Sequence, residues 1–274
     1  MTQEIITNQA CVSVYTDTFN KRIRVDDYSG NLEKVIEIID QQIEVWVEKL
    51  IVKSRVGDVP FFISKGFFCE AFVKGYFSGA DMYFVTRYHS AERERRTNWE
   101  LEQSIVNTLI KEKNQLVIPA IDNIKEATVS RSADLAGLYR RIFKVYPTPL
   151  SDEEYLRKTM NEGTLYAYIE ENNQIVSAAS AEINRKYKNA ELTDCATLPQ
   201  AEGKGHMKKL LYFIDRRLKA EDILCCYSIA RAESFSMNKA FAQLGYSYGG
   251  RLIKNCIIYS GLEDMNVWYK SSPA

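Results

Sequence analysis

The sequence of 274 residues is poor in the residues that build metal and disulfide sites. It has two histidines, His89 and His206, and none of its six cysteines belongs to a C-x-x-C pair. Structural zinc sites are assembled from clustered cysteines and histidines, so we expect no metal ion. Cysteines without a pairing pattern are typical of a reducing compartment, and we expect reduced thiols in a cytoplasmic protein.

Long apolar runs and an excess of one charge are also missing. No apolar stretch approaches the ~20 residues of a membrane span, and the polar residues 1–4 are unlike a signal peptide. Lysine plus arginine and aspartate plus glutamate number 36 each. Without a basic field we expect binding neither to nucleic acid nor to a membrane. A hydrophobic content of 46% indicates a globular protein with one large or two smaller domains.

A short glycine motif organises the second half of the chain. A strand pattern at residues 190–197 leads into Gln200-x-x-Gly203-x-Gly205. A helix pattern follows, with one apolar stripe formed by Met207, Leu210, Leu211, Ile214 and Leu218. Two glycines allow a tight turn that brings main-chain N–H groups close to an anion at the helix N-terminus. The motif therefore predicts a phosphate-binding turn.

This motif resembles the Gln/Arg-x-x-Gly-x-Gly/Ala pyrophosphate loop of the GNAT superfamily of acetyl-CoA-dependent N-acetyltransferases. The elements predicted from residue 124 to residue 270 follow the GNAT order β-α-α-β-β-β-α-β-α-β-β. The resemblance implies an α/β fold with a mixed sheet, whose central strands splay apart to admit acetyl-CoA as co-substrate. We expect this GNAT domain to occupy residues 122–274.

The first part of the chain repeats some of these landmarks. Residues 49–88 and residues 223–269 both read strand, short helix, Gly-aromatic pair, strand, Ser-Gly turn and strand. The first copy has no counterpart of the Gln200 motif. We therefore expect residues 1–121 to form a smaller, degenerate GNAT-like half-domain that binds no cofactor and buttresses or roofs the second. Chance similarity of two α/β segments is the alternative.

The resemblance assigns the cofactor to one stretch of chain. It implies that the glycine turn binds the pyrophosphate and that a main-chain N–H of the preceding strand donates to the thioester carbonyl oxygen. Glu202 departs from this arrangement as a like charge, which we expect nearby lysines to outweigh. Cys195 is expected to contact the pantetheine rather than act as nucleophile, because no histidine is placed to activate it. The expected cofactor contacts are Cys195, Ala196, Thr197, Gln200, Gly203, Lys204, Gly205, His206 and Asn238.

The acceptor amine must lose a proton before it attacks. A free alkyl amine has a pKa of about 10.4, so a base or a desolvating site is needed. Some GNAT enzymes use a glutamate four residues before a cysteine on this strand, and Glu191 has that spacing from Cys195. Asp194 is the second choice, although strict strand alternation would turn it to the opposite face. A solvated strand carboxylate is the alternative for both.

The usual proton donor of these enzymes is missing. Many members carry a tyrosine four residues before the Gly-aromatic pair and an asparagine seven residues earlier, but here these positions hold Phe241 and Ser234. We expect Tyr246, Tyr248 or water to protonate the thiolate instead. Asn238 would supply the missing amide contact, with an ordinary helix-surface position as the alternative.

A longer set of landmarks resembles one GNAT family, the β-lysine N6-acetyltransferases. It comprises Tyr146-Pro147-Thr148-Pro149, Gly75-Tyr76-Phe77-Ser78-Gly79-Ala80-Asp81 and Gly261-x-Glu263-Asp264-Met265-Asn266-x-Trp268. The resemblance implies transfer of acetyl by direct attack of the N6 amine of β-lysine, (3S)-3,6-diaminohexanoate. The product would be N6-acetyl-β-lysine, a compatible solute, with a lysine 2,3-aminomutase acting upstream.

Such an acceptor needs an anionic subsite for its 3-ammonium and a donor for its carboxylate. Candidates for the anionic subsite are Glu182, Glu263 and Asp264. Candidates for the carboxylate donor are Arg231, Arg251 and Tyr146. An ordinary surface or loop position is the alternative for each.

Two other functions stay open. One is acetylation of another small amine, such as lysine, ornithine or a polyamine. The other is a non-catalytic acetyl-CoA sensor, which Phe241 and Ser234 would favour. The sequence does not fix the oligomeric state, and a homodimer is one option.

Overall fold

A computed structural model describes residues 2–112, 118–259 and 261–272. Thirteen strands of these residues form one sheet. They are β1 Thr2–Ile6, β2 Ala10–Asp17, β3 Arg22–Gly30, β4 Lys49–Arg55, β5 Phe68–Phe77, β6 Ala80–Tyr88, β7 Ile124–Glu126, β8 Leu165–Glu171, β9 Gln174–Asn184, β10 Asn189–Thr197, β11 Cys225–Arg231, β12 Ser247–Ile258 and β13 Gly261–Ser271. The helices are α1 Leu32–Gln41, α2 Val59–Ser64, α3 Ala91–Glu94, α4 Trp99–Lys111, α5 Ser132–Ile142, α6 Glu153–Asn161, α7 His206–Ala220 and α8 Phe235–Gln243.

The sheet is arranged as two similar halves. Its strand order is β1-β2-β3-β4-β6-β5-β12-β13-β11-β10-β9-β8-β7, so β5 and β12 meet in the middle. In each half a hairpin is followed by a helix, a parallel neighbour, a short helix and a second hairpin. The predicted fold class, a mixed-sheet GNAT fold preceded by a smaller GNAT-like half, is confirmed. The boundary between residues 121 and 122 stays a prediction.

Three apolar cores hold the sheet and the helices together. One lies under α5, α6 and α7 against β8, β9 and β10, and a second lies between α1 and strands β2 to β4. The third joins the halves, with Phe84 and Val73 of the first packed among Leu252 and Val267 of the second. Leu210, Leu211, Ile214 and Leu218 of the predicted α7 stripe are buried. Burial of this stripe places the N-terminus of α7 beside the end of β10.

The two halves differ where their parallel strands separate. In the first half, the pairing of β3 with β4 ends at Val25 and Val52. Beyond that point the Tyr28 hydroxyl accepts from the main-chain N–H of Arg55 at 3.3 Å, and the Arg55 guanidinium donates to the Tyr28 carbonyl at 3.0 Å. Tyr28 is buried there and donates to Asp58 at 2.7 Å. The gap in the first half is therefore filled by its own side chains.

A few local features complete the fold. Residues 91–111 contain two helices, α3 and α4, because Arg95 has extended backbone angles. The N-cap of α6 is Asp152, which accepts from the N–H of Glu154. Strand β1 had no alternating pattern and was not predicted. Ser260 of the second Ser-Gly turn lies outside the described residues.

Candidate active site

A cavity of about 1260 Å³ opens where β10 and β11 separate. The parallel pairing of these strands ends at Glu191 and Tyr227. Beyond that pair, side chains of both strands line the cavity, among them Thr193 and Cys195 on β10 and Ser228 on β11. The cavity runs from the glycine turn before α7 to strands β2 and β3 of the first half. Both halves therefore contribute to one site.

The glycine turn has the geometry of an anion-binding helix N-terminus. Gly203 and Gly205 have φ values of 76° and 74°, and a Cβ atom on either would meet no heavy atom within 4 Å. Glycine is therefore required by backbone conformation and not by space. Lys209 donates its main-chain N–H to the Gly205 carbonyl at 3.2 Å, so the N–H groups of residues 206–208, in the first turn of α7, have no acceptor within the helix. Both glycines line the cavity, as does His206.

The charged side chains of the turn are largely occupied by protein partners. Glu171 accepts from Lys204 at 2.8 Å and lies 3.0 Å from His206 Nε2. Lys208 donates to the Gln243 side chain at 3.1 Å. Gln200 is exposed and does not line the cavity. An anion at this turn would therefore meet mainly the main-chain N–H groups at the N-terminus of α7.

A β-bulge changes the direction of side chains on β10. The register with β9 shifts between Thr193 and Ala196, and Asp194 has a φ of 51°. Asp194 and Cys195 consequently both line the cavity. The expectation that Asp194 points to the opposite face is wrong, because the bulge breaks the two-residue period. Ala196 is buried below the cavity, whereas Thr197 lines it.

Asp194 is a buried carboxylate with an altered pKa. Its Oδ2 accepts from the Ser180 hydroxyl at 2.7 Å. Burial raises the pKa of Asp194 to about 6, although hydrogen bonds from Ser180 and Tyr146 oppose the shift. Tyr146 lines the cavity and stacks on Phe143, with ring centroids 4.1 Å apart. Burial also raises the pKa of Cys195 well above that of an ordinary thiol, which keeps it neutral and a poor nucleophile.

Two more carboxylates lie opposite each other in the cavity, Glu182 on β9 and Glu191 on β10. Glu191 accepts from the buried Tyr227 hydroxyl at 2.9 Å. The side chain of Glu182 is exposed to the water of the cavity, so its desolvation by the surrounding walls is only partial. Desolvation, followed by the charges of Glu191 and Asp194, raises the pKa of Glu182 to about 7. We call Glu182 and Glu191 the acidic pair.

Two residues expected at the site lie in the core instead. Tyr246 is fully buried, packs edge-on against Phe241 and donates to Asp215 at 3.3 Å. It does not line the cavity, which removes the support for a role in protonating the thiolate. Asn238 is also fully buried, and its amide bonds only protein groups, so its position does not support a cofactor contact.

The acceptor-binding candidates are only partly brought together. Arg231 lines the cavity but is held by Glu263 at 2.5 and 2.8 Å, and Glu263 does not line it. Asp264 accepts from a main-chain N–H at 2.7 Å and lies outside the cavity lining. Arg251 is buried against Asn266 and also lies outside. Of the predicted acceptor contacts, Tyr146, Glu182 and Arg231 reach the cavity.

The cavity residues that the first half contributes were not predicted. Arg24 on β3 lines the cavity beside the acidic pair. The charged residues Arg22, Arg24 and Asp26 alternate along β3 and therefore share a face. This run of charged residues on one face of a strand was the pattern in the sequence that could have indicated a site residue at Arg24.

Comparison with known proteins identifies the family. The acetyltransferase (GNAT) family model matches residues 133–246. The chain is 38% identical to the N-acetyltransferase YodP of Bacillus subtilis, over 93% of this chain and 94% of that protein. It is 32% identical to the β-lysine N(6)-acetyltransferase of Methanococcus maripaludis, over 92% and 93% of the two chains, and 34% identical to that of Methanosarcina mazei, over 74% and 83%.

The crystal structure of ribosomal-protein-alanine N-acetyltransferase from Brucella melitensis covers 54% of this chain and 99% of its own, with a TM-score of 0.48 and 17% identity. Within the described residues, no helix is both long and apolar enough to cross a membrane. On the sequence relatives and the family match, the chain belongs to the β-lysine N6-acetyltransferase family of the GNAT superfamily and is an acetyl-CoA-dependent N-acetyltransferase.

Proposed function

We propose that the chain transfers acetyl from acetyl-CoA to the N6 amine of β-lysine, giving N6-acetyl-β-lysine. The observation that carries this proposal is the acidic pair, which stands at the level where β10 and β11 separate. Two facing carboxylates offer one partner to each amine of a diamino acid. Two relatives that match most of the chain are named for this substrate.

The residues of the site fit the co-substrate. Acetyl-CoA supplies an acetyl thioester, whose carbonyl carbon is open to attack by a neutral amine. The turn at Gly203 and Gly205 would hold the pyrophosphate at the N-terminus of α7. The space between β10 and β11 would take the pantetheine arm. The bulge at Asp194 takes a main-chain N–H out of the strand ladder, and such an N–H would donate to the acetyl carbonyl oxygen.

Glu191 is the proposed proton acceptor. It lies at the point of separation, and the Tyr227 hydroxyl fixes its carboxylate at 2.9 Å. Glu191 first takes one proton from the N6 ammonium. The neutral N6 then attacks the acetyl carbon, the carbon–sulfur bond breaks, and the second N6 proton is lost to water. The departing thiolate takes its proton from water, because Tyr246 does not reach the cavity. A thiol pKa of about 8.5 makes the thiolate a sufficient leaving group. Asp194 is the second candidate for the base.

The test measures thiol release from acetyl-CoA with β-lysine, L-lysine, L-ornithine, spermidine or no amine. A clear preference in kcat/KM for β-lysine supports the proposal, and a preference for spermidine would move the assignment to polyamine acetylation. In the preferred reaction, Glu191→Gln should lower kcat by about a hundredfold or more. Glu154→Gln is the matched control, because Glu154 is exposed on α6 and lies outside the cavity lining. Full activity in Glu191→Gln together with a loss in Asp194→Asn would transfer the role to Asp194.

A further inference from the structure

Arg24 extends from the first half into the cavity that holds the acidic pair. Its Nε and Nη2 donate to the two carboxylate oxygens of Asp26, at 2.7 and 3.1 Å. Asp26 also lies 2.9 Å from Lys53 Nζ. Two cations therefore share one carboxylate, and the cluster of Arg24, Asp26 and Lys53 keeps a positive charge.

The guanidinium of Arg24 is held in one orientation. Asp26 occupies two of its five N–H donors, and the ring of Tyr15 lies against it, with the centroid 4.9 Å from Cζ. A guanidinium fixed along one edge presents its remaining donors to a second planar acceptor. A carboxylate is the acceptor whose geometry matches that fork.

The other arginines that line the cavity are more fully committed. Arg231 makes two contacts with Glu263, at 2.5 and 2.8 Å. Arg22 is buried and donates to Asp17 and to the Asn255 carbonyl, each at 2.9 Å. Each of these arginines has a carboxylate that no second lysine or arginine shares among the described residues. Of the three arginines, only Arg24 shares its carboxylate partner, Asp26, with a second cation, Lys53.

Arg24 lines the same cavity as the acidic pair, and these residues interact through their charges. The positive charges of Arg24 and Lys53 lower the pKa of Glu182, against the larger upward effects of burial and neighbouring acids. Glu191 in turn raises the pKa of Arg24. An anionic group beside Arg24 and cationic groups beside Glu182 and Glu191 would complement this pattern.

We propose that Arg24, from the half without a glycine turn, binds the carboxylate of the amino-acid acceptor. This inference rests on the proposed function, in which the acidic pair receives the two amines. In β-lysine the carboxylate is two carbons from the carbon bearing the 3-ammonium, so it would lie beside a group held by the acidic pair. The first half then determines acceptor specificity, and the second half binds acetyl-CoA.

The test compares β-lysine with its amide, 3,6-diaminohexanamide, which keeps both amines and loses the negative charge. The wild type should prefer β-lysine in kcat/KM by about tenfold to a hundredfold, the worth of a hydrogen bond to a charged group. Arg24→Met should abolish this preference by raising KM for β-lysine, while kcat, KM for acetyl-CoA and turnover of the amide stay near wild type. Arg24→Lys should keep part of the preference. Arg185→Met, which replaces an exposed arginine outside the cavity lining, should keep all of it.

The contrary outcomes separate this inference from the proposed function. A wild type that acetylates neither compound overturns both. A wild type that acetylates β-lysine without preference over its amide overturns the role of Arg24 only. Three further outcomes would also overturn only the role of Arg24. The preference survives in Arg24→Met, or it is lost in Arg231→Met instead, or Arg24→Met loses turnover of β-lysine and of the amide equally.

Discussion

Glu182 and Glu191 are cross-strand partners on β9 and β10, and both side chains face the cavity. Like charges directly opposite each other destabilise a sheet. Here the cost is increased by a third carboxylate, the buried Asp194, on the same strand as Glu191. Such an arrangement is expected where a cationic ligand, rather than the fold, compensates the charge. The predictions below follow from this cluster and its supports.

The acidic pair predicts a pH dependence of acceptor use. The pKa of Glu182 is raised to about 7, so Glu182 is protonated below that pH and binds an ammonium group less well. We expect kcat/KM for the preferred amine to rise as pH increases through about 7. In Glu182→Gln, the rise of kcat/KM around pH 7 should disappear from a profile measured between about pH 5.5 and 9. The substitution should also raise KM for the amine. Glu154→Gln on the exposed face of α6 is the control. An unchanged limb in Glu182→Gln would contradict this role.

The buried charge of Asp194 predicts that removing it stabilises the fold. Its folded pKa of about 6 lies above the usual value, so the ionised carboxylate destabilises the folded state, and stability is lost as pH rises from about 4 to 6. Asn tolerates the left-handed backbone at this position and still accepts from Ser180. Asp194→Asn should therefore raise the free energy of unfolding by about 2–3 kcal/mol at pH 8, and by less at pH 5.

Urea denaturation at the two pH values checks this change. Asp222→Asn is a matched control, because Asp222 also has a left-handed backbone, with a φ of 62°, but is exposed. Its stability should change by less than about 0.5 kcal/mol at either pH. An equal gain in both variants would show that burial of the Asp194 charge is not the cause.

The glycine turn predicts a specific effect on the co-substrate. Gly205→Ala meets no atom within 4 Å but places a side chain at a φ of 74°, which costs about 1 kcal/mol and shifts the N–H groups of the turn. We expect KM for acetyl-CoA to rise by about tenfold. Gly66→Ala carries the same strain, at a φ of 83°, away from the cavity. It should lose similar stability with KM for acetyl-CoA unchanged. A similar rise in KM for both variants would contradict the assignment.

Asn238 predicts a loss of stability rather than of cofactor binding. Its Nδ2 donates to the Ser234 carbonyl at 2.7 Å, and its Oδ1 accepts from Trp268 Nε1 at 2.8 Å and Asn266 at 2.9 Å. Asn238→Ala leaves these buried groups unpaired and should lower the free energy of unfolding by about 2–4 kcal/mol. Calorimetry of acetyl-CoA binding well below the melting temperature should show an unchanged Kd. Asn107→Ala, at an exposed amide on α4, is the control for stability. A higher Kd for acetyl-CoA in Asn238→Ala would support a cofactor contact for Asn238.

Local patterns in the sequence determined much of this protein. The apolar stripe of α7 and the two glycines before it specify a helix and a left-handed turn through backbone and burial preferences, which act over a few residues. The landmark pairs of glycine and aromatic residues indicated two related halves. The resemblance to GNAT enzymes pointed to Glu191, four residues before Cys195, with Asp194 as the second choice, and both residues line one cavity.

Only the tertiary structure decided what surrounds those residues. The bulge at Asp194 depends on pairing with β9, and no strand pattern in β10 alone reveals it. Tyr246 and Asn238 look like site residues by position, but helix packing turns them into the core. Arg24 is separated by well over a hundred residues from the acids of the same cavity, and the packing of the two halves through their shared core and the β5–β12 contact brings them together. Contacts at such separation depend on the packing of whole elements, which short-range preferences do not encode.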